Sequence, residues 1–186
     1  MSIESIPVAS LMSKSVKTET SDQNIRAVCK IMNENNIGSV VIVNKGKDQK
    51  NGNNNDNNNA NKPVGIITER DIVRIMGTLE PSLLITPVHE LMSKPLITIL
   101  SNNSIKDAIQ TMQVKNIRRL VVVEKEEKDD NNNNMIGIIT DKDIFRAIMK
   151  NQSLIPSILN DELLTQHKPV YEQFSEYWFG DILHRR

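Results

Sequence analysis

The chain has 186 residues, with 23 Lys and Arg against 23 Asp and Glu, so its formal net charge is zero. That balance argues against a dedicated nucleic-acid binder, which carries a basic surplus, and a single Cys excludes an internal disulfide framework. No apolar run approaches the roughly 18 residues of a membrane-spanning helix. The first ten residues, MSIESIPVAS, lack the basic and apolar regions of a targeting peptide, so a cytoplasmic protein is expected.

In chain order, the first segment is a lead-in, Val8-Ala9-Ser10-Leu11-Met12-Ser13-Lys14, and then a short extended stretch, residues 16–18. A helix is predicted next. Ile25, Val28, Cys29 and Met32 fall at i, i+3, i+4 and i+7, one face of an α-helix, and Ser21-Asp22 offers an N-cap. The β-branched run Val40-Val41-Ile42-Val43 reads as a buried strand. Residues 44–63 are Asn-rich, have little apolar surface to bury, and read as a solvated loop insertion. Residues 64–67 read as the hairpin partner of that strand. A second helix starting at Thr68 is expected to turn Ile72, Ile75 and Met76 inward.

The same series then recurs. Val88-His89-Glu90-Leu91-Met92-Ser93-Lys94 repeats the lead-in at an offset of 80, and the extended stretch returns at residues 96–99. Ile105, Ala108, Ile109 and Met112 repeat the first helix, with Ser101-Asn102 as its N-cap, and Leu120-Val121-Val122-Val123 repeats the strand. After a shorter Asn-containing loop, residues 124–135, the offset falls to 72, and residues 136–139 and the helix from Thr140 follow, with Ile144, Ile148 and Met149 inward. The layout predicts an α/β fold: two β-α-β-β-α repeats, residues 8–78 and 88–150, packed as a pseudo-twofold pair. Neither repeat buries much alone. Residues 151–186 form a C-terminal helical extension that gathers Tyr171, Phe174, Tyr177, Trp178 and Phe179, either docked on the repeats or offered to a partner protein or a second copy.

The stretch Gly-Ile-Ile-Thr-x-x-Asp occurs twice, as Gly65 to Asp71 and Gly137 to Asp143. It has a structural meaning: Thr68 and Thr140 as N-caps, with Asp71 and Asp143 at N3, form capping boxes. It also has a chemical one. A helix N-terminus after a strand leaves N–H groups for an anion, a Thr hydroxyl can bond a phosphate or sugar oxygen, and an Asp one turn in can accept both hydroxyls of a ribose. Gly65 and Gly137 permit close approach by a ligand or by neighbouring backbone.

On these residues the chain resembles a tandem CBS pair, or Bateman module, over residues 8–150. The resemblance rests on the layout, the Leu-Met-Ser-Lys lead-ins and the two Gly-hydrophobic-x-Thr-x-x-Asp stretches. It implies a cleft between repeats that binds an adenosine-containing ligand, with AMP, ADP, ATP or S-adenosylmethionine as possible occupants. Thr68, Asp71, Thr140 and Asp143 would hold ribose and phosphate, and Val16, Leu96, Ile66 and Ile138 would line the base pocket. It also implies that each Asp works with the lead-in of the other repeat: Lys94 and Leu96 near Asp71, Lys14 and Val16 near Asp143.

The second repeat has Arg118-Arg119 where the first has Gly38-Ser39. An Arg pair can grip phosphate and Gly-Ser cannot, so Arg118 and Arg119 are phosphate candidates, with Arg70 and Lys142 as further cations. His89, His167 and His184 have no ligand spacing, so no metal site is expected. Cys29 lies on an apolar helix face and reads as a buried thiol. No nucleophile motif, P-loop or dinucleotide fingerprint is present. The expected protein is a non-catalytic regulatory module that self-associates as a homodimer. The competing reading is a structural or oligomerisation module without ligand.

Overall fold

The computed structural model describes residues 3–44, 62–78, 80–126 and 129–151. Most of the first Asn-rich loop and the C-terminal extension, with its aromatic group at 171–179, lie outside the described residues. Among the described residues there are, in chain order, six strands and five helices: β1 Thr18–Thr20, α1 Ile25–Asn35, β2 Ser39–Val43, β3 Pro63–Thr68, α2 Glu69–Gly77, α3 Val88–Leu91, β4 Thr98–Leu100, α4 Ile105–Lys115, β5 Arg119–Glu126, β6 Asp129–Thr140 and α5 Asp141–Lys150. Short 3-10 turns stand at Ile3–Ser5, Val8–Ser10 and Pro81–Leu84.

Two three-stranded sheets result, ordered β1-β2-β3 and β4-β5-β6. In the first, β1 runs parallel to β2 and β2 antiparallel to β3, with Val41 opposite both Thr18 and Ile66. Four successive residues of β2, Val40 to Val43, are buried, as a strand covered on both faces requires. Helix α1 lays Ile25, Val28 and Met32 on this sheet, where they join Val40, Ile42, Ile67, Ile75 and Val88 in one core. At the repeat offset, Ile105, Ala108, Met112, Leu120, Val122, Ile139 and Val8 are buried as well. Asn36 and Asn116 end α1 and α4 in the left-handed region, φ 51° each, a conformation that Asn tolerates.

The compact units do not follow the sequence repeats. Lys14–Thr98 falls in one unit, together with Glu124–Met135. Residues up to Ser13, with Ile99–Val123 and the stretch from Ile136, form the other. Each lead-in therefore completes the body of the other repeat. Val88 donates its N–H to the Gln23 carbonyl (2.7 Å) and His89 to that of Ser21 (3.2 Å). Val8 donates likewise to Asn103 (2.8 Å) and Ala9 to Ser101 (3.0 Å).

Three expectations are corrected. The N-caps of α1 and α4 are Asn24 and Ser104, not Ser21-Asp22 and Ser101-Asn102. The incoming lead-ins occupy the carbonyls of Ser21, Gln23, Ser101 and Asn103, which delays each helix. Asn131 to Asn134, read as part of a loop, lie within β6, because β5 and β6 continue as paired strands to Glu126 and from Asp129. Backbone pairing needs no apolar side chain. Met76 and Met149, expected inside, are 53% and 51% exposed. The buried seam of α2 and α5 is narrower than three residues per repeat and is held by Ile75 and Ile144.

Candidate functional site

The two Gly-Ile-Ile-Thr-x-x-Asp stretches form matching strand-to-helix turns. Thr68 is the N-cap of α2 and Thr140 that of α5, and both capping boxes are complete. Asp71 Oδ2 accepts the Thr68 N–H at 2.9 Å and the Thr68 hydroxyl at 2.7 Å. Asp143 Oδ2 accepts the same pair from Thr140, at 3.0 and 2.6 Å. One oxygen of each carboxylate is thus committed to the fold, and the other faces donors that can be exchanged. Asp71 Oδ1 accepts from Arg74 Nη2 at 3.0 Å, and Asp143 Oδ1 from Arg146 Nη1 at 3.2 Å. Both guanidiniums are largely exposed, and ion pairs of that kind contribute about 0–1 kcal/mol. A ligand diol can displace them at small cost.

The lead-ins close on these turns. Ser93 exchanges both backbone bonds with Ile66 (2.9 and 3.2 Å), and Ser13 does so with Ile138 (2.8 and 2.9 Å). This explains the two glycines. A Cβ on Gly65 would run into the Met92 thioether and sit 3.1 Å from the Ser93 carbonyl. A Cβ on Gly137 would stand 2.6 Å from Met12 Sδ and 2.9 Å from the Ser13 carbonyl. Neighbouring backbone, the second of the two expected uses, thus lies at these glycines.

Of the predicted residues, Leu96 and Lys94 share a unit with Asp71. Lys94 Nζ donates to the carbonyl of His89, within α3, at 3.2 Å. Lys14 and Val16 also belong to the unit that holds Asp71, whereas Ile138, Thr140 and Asp143 belong to the other. Ile66, Ile138, Val16 and Leu96 are half-buried. Arg70 and Lys142 stand exposed on the first turns of α2 and α5. Arg118 and Arg119 lie at the start of β5, and the Asp141 N–H donates to the Arg118 carbonyl at 3.1 Å, which holds that backbone against the N-terminus of α5. In the first repeat the Glu69 N–H reaches Gly38 in the same way, at 3.2 Å.

Sequence reasoning missed Arg74, Arg146 and Ser93. The two Arg were visible, since Arg74 repeats as Arg146 at the offset of 72. The Ser93 bond to Asp71, 3.1 Å from its Oγ to Oδ1, had no comparable signal, because Ser13 makes no such bond among the described residues. Cys29, expected as a buried thiol, is only half-buried, and this partial burial still pushes it above its usual range, which keeps it protonated. Among the described residues no group of His, Cys, Asp and Glu is placed to hold a metal ion, and no helix is long and apolar enough to cross a membrane.

The family model of the CBS domain matches residues 8–78 and 88–150. The chain is similar to the CBS domain protein PAE2072 from Pyrobaculum aerophilum, solved in complex with AMP: 25% identity, TM-score 0.61, 80% of this chain and 98% of that one. It is similar to the CBS domain pair of protein MJ0100, solved with 5′-methylthioadenosine and S-adenosyl-L-methionine: 26% identity, TM-score 0.60, 77% and 96% coverage. An uncharacterised protein of Methanopyrus kandleri is 33% identical over 146 residues, 77% of this chain. The chain spans 63% of that relative's length.

Proposed function

Since the chain belongs to the CBS-domain family, we propose that it is a non-catalytic regulatory module that binds an adenosine-containing ligand, foremost an adenine nucleotide, through Thr68 and Asp71 and through Thr140 and Asp143. The observation that carries this reading is the divided use of each carboxylate. Oδ2 is held by the N-cap Thr and keeps the side chain in place, while Oδ1 meets the exposed, exchangeable Arg146 in Asp143 and, in Asp71, the exposed Arg74 together with the Ser93 hydroxyl. A fixed carboxylate with one displaceable oxygen at the positive end of a helix dipole suits a ribose hydroxyl next to a phosphate. Ile66, Ile138, Val16 and Leu96 are the apolar candidates for the base, and Arg118, Arg119, Arg70 and Lys142 the cationic ones for phosphate. The ligands bound by the two solved relatives, AMP in one and 5′-methylthioadenosine with S-adenosyl-L-methionine in the other, support the same class.

The ligand signal passes to a second copy or to a partner protein. Val73, 72% exposed, and Met76 lie on the outer side of α2, and Met149 on that of α5, apolar surface suited to a homodimer contact. One observation favours the structural alternative: each oxygen of both carboxylates already has a partner within the chain. Thermal unfolding with AMP, ADP, ATP and S-adenosylmethionine separates the two. A ligand at 100 times its Kd adds about 2.7 kcal/mol, about 5–10 °C in Tm for a chain of this size. No shift with any of the four at millimolar concentration supports the scaffold reading.

A further inference from the structure

The two helix N-termini share their Thr and Asp caps and differ in the residues around them. At the first, the Glu69 side chain lies over Gly38. Its carboxylate oxygens are 2.9 and 3.3 Å from where a Cβ on Gly38 would stand. Glu69 opens α2, so its charge occupies the end of the helix whose N–H groups attract anions. At the second, Arg118 takes the place of Gly38, and the shorter Asp141 turns its Oδ1 onto the Lys142 N–H at 2.8 Å, staying on its own helix. The formal charges follow. By sequence, Glu69 and Asp71 balance Arg70 and Arg74 at the first end, whereas Asp141 and Asp143 are outnumbered by Arg118, Arg119, Lys142 and Arg146 at the second.

We propose that Glu69 is a specificity-determining residue: it makes the Thr68–Asp71 site selective for adenosine ligands without a 5′-phosphate, and leaves phosphorylated ligands to the Thr140–Asp143 site. The inference rests on the nucleoside-binding reading above. A phosphate placed at the N-terminus of α2 meets the resident Glu69 carboxylate, an exposed side chain, and like charges repel. A neutral thioether or a cationic sulfonium at the same place meets no such penalty. At α5 the same phosphate meets a surplus of basic groups.

Calorimetric titration of the full chain with AMP and, separately, with 5′-methylthioadenosine tests this, on the wild-type protein and on Glu69→Gln. Gln keeps the length and removes the charge. The wild-type protein is expected to bind one AMP per chain tightly. Glu69→Gln is expected to gain a second AMP event, tightened at least tenfold, with 5′-methylthioadenosine affinity unchanged within about twofold. Equal effects on both ligands, no change in either, or two equivalent AMP sites in the wild-type protein overturn the role of Glu69 while leaving nucleoside binding in place. Failure of both compounds to bind the wild-type protein overturns the nucleoside reading itself, and this inference with it.

Discussion

Asp71 receives four side-chain or backbone bonds: two from Thr68, one from Arg74 and one from Ser93. Asp143 receives three, and its side chain is 20% exposed against 10% for Asp71. Around this shared carboxylate the two bodies agree wherever backbone must be held. Both have a Thr cap, a Gly under a Met-Ser lead-in, and an Asn in the left-handed region after the first helix. They differ in the side chains around the helix ends: Gly38 and Glu69 against Arg118 and Asp141, Ser93 engaged and Ser13 not. A duplicated fold has kept the groups that specify its turns and let those at the helix ends diverge.

The sharpest way to break this comparison is at the glycines. Gly137→Ala forces a Cβ against the Ser13 carbonyl as well as Met12, whereas Gly65→Ala presses chiefly on the flexible Met92 thioether. Overpacking of this kind costs about 1–3 kcal/mol, so Gly137→Ala is expected to lower Tm by about 2–4 °C per kcal/mol, and by more than Gly65→Ala. Calorimetric unfolding of both variants checks the order. Next come the aspartates. Removing a cap partner costs about 0.5–2 kcal/mol, and Asp71→Ala is expected to exceed Asp143→Ala because it also strands the Ser93 hydroxyl. Denaturant midpoints that reverse this order contradict the hydrogen-bond assignment. Smaller still, Ser93→Ala should cost about 1 kcal/mol, and Ser13→Ala close to nothing.

The smallest effect concerns acid. Helix α4 has a capping box in which Ser104 holds the Asp107 carboxyl below the usual carboxylate range, chiefly through the Ser104 hydroxyl and then its backbone N–H, with lesser help from Asn103 and Lys106. Helix α1 has Asn24 and Ala27 at the same positions and nothing that titrates there. A lowered carboxyl pKa stabilises the fold above its unfolded value of about 4 and loses that contribution as pH falls through the folded value. Asp107→Asn is therefore expected to flatten the stability profile below about pH 4, by less than about 1 kcal/mol at this partly exposed site. Urea unfolding between pH 7 and pH 3 reads the difference, and an unchanged slope removes Asp107 from the account.

Much of this architecture was legible because the sequence states it twice. The spacing of Ile25, Val28 and Met32 and its repetition at Ile105, Ala108 and Met112 identify the buried helix faces, and the doubled Thr-x-x-Asp locates both caps. What stayed hidden depends on long-range contact. The N-caps move to Asn24 and Ser104 because lead-ins distant in sequence take the carbonyls before them. The Asn tract at 131–134 hides a strand because pairing there rests on backbone alone. Met76 and Met149 share the helical period of the core residues, and only packing reveals that the seam ends before them. Glu69 was not legible as a neighbour of Gly38, since the two are 31 positions apart and meet only because β2 and β3 pair with Ser39 opposite Thr68.

AMP titrated into the wild-type protein, Asp71→Ala and Asp143→Ala, with folding of each checked by circular dichroism, bears most directly on the central claim that the two sites are built alike and differ in what they take. The account predicts that Asp143→Ala abolishes the tight AMP event and that Asp71→Ala retains it within a few-fold. Loss of that event in Asp71→Ala with retention in Asp143→Ala contradicts the assignment of phosphate to the Arg118-bearing repeat, and an absence of AMP binding in all three proteins contradicts the nucleotide reading as a whole.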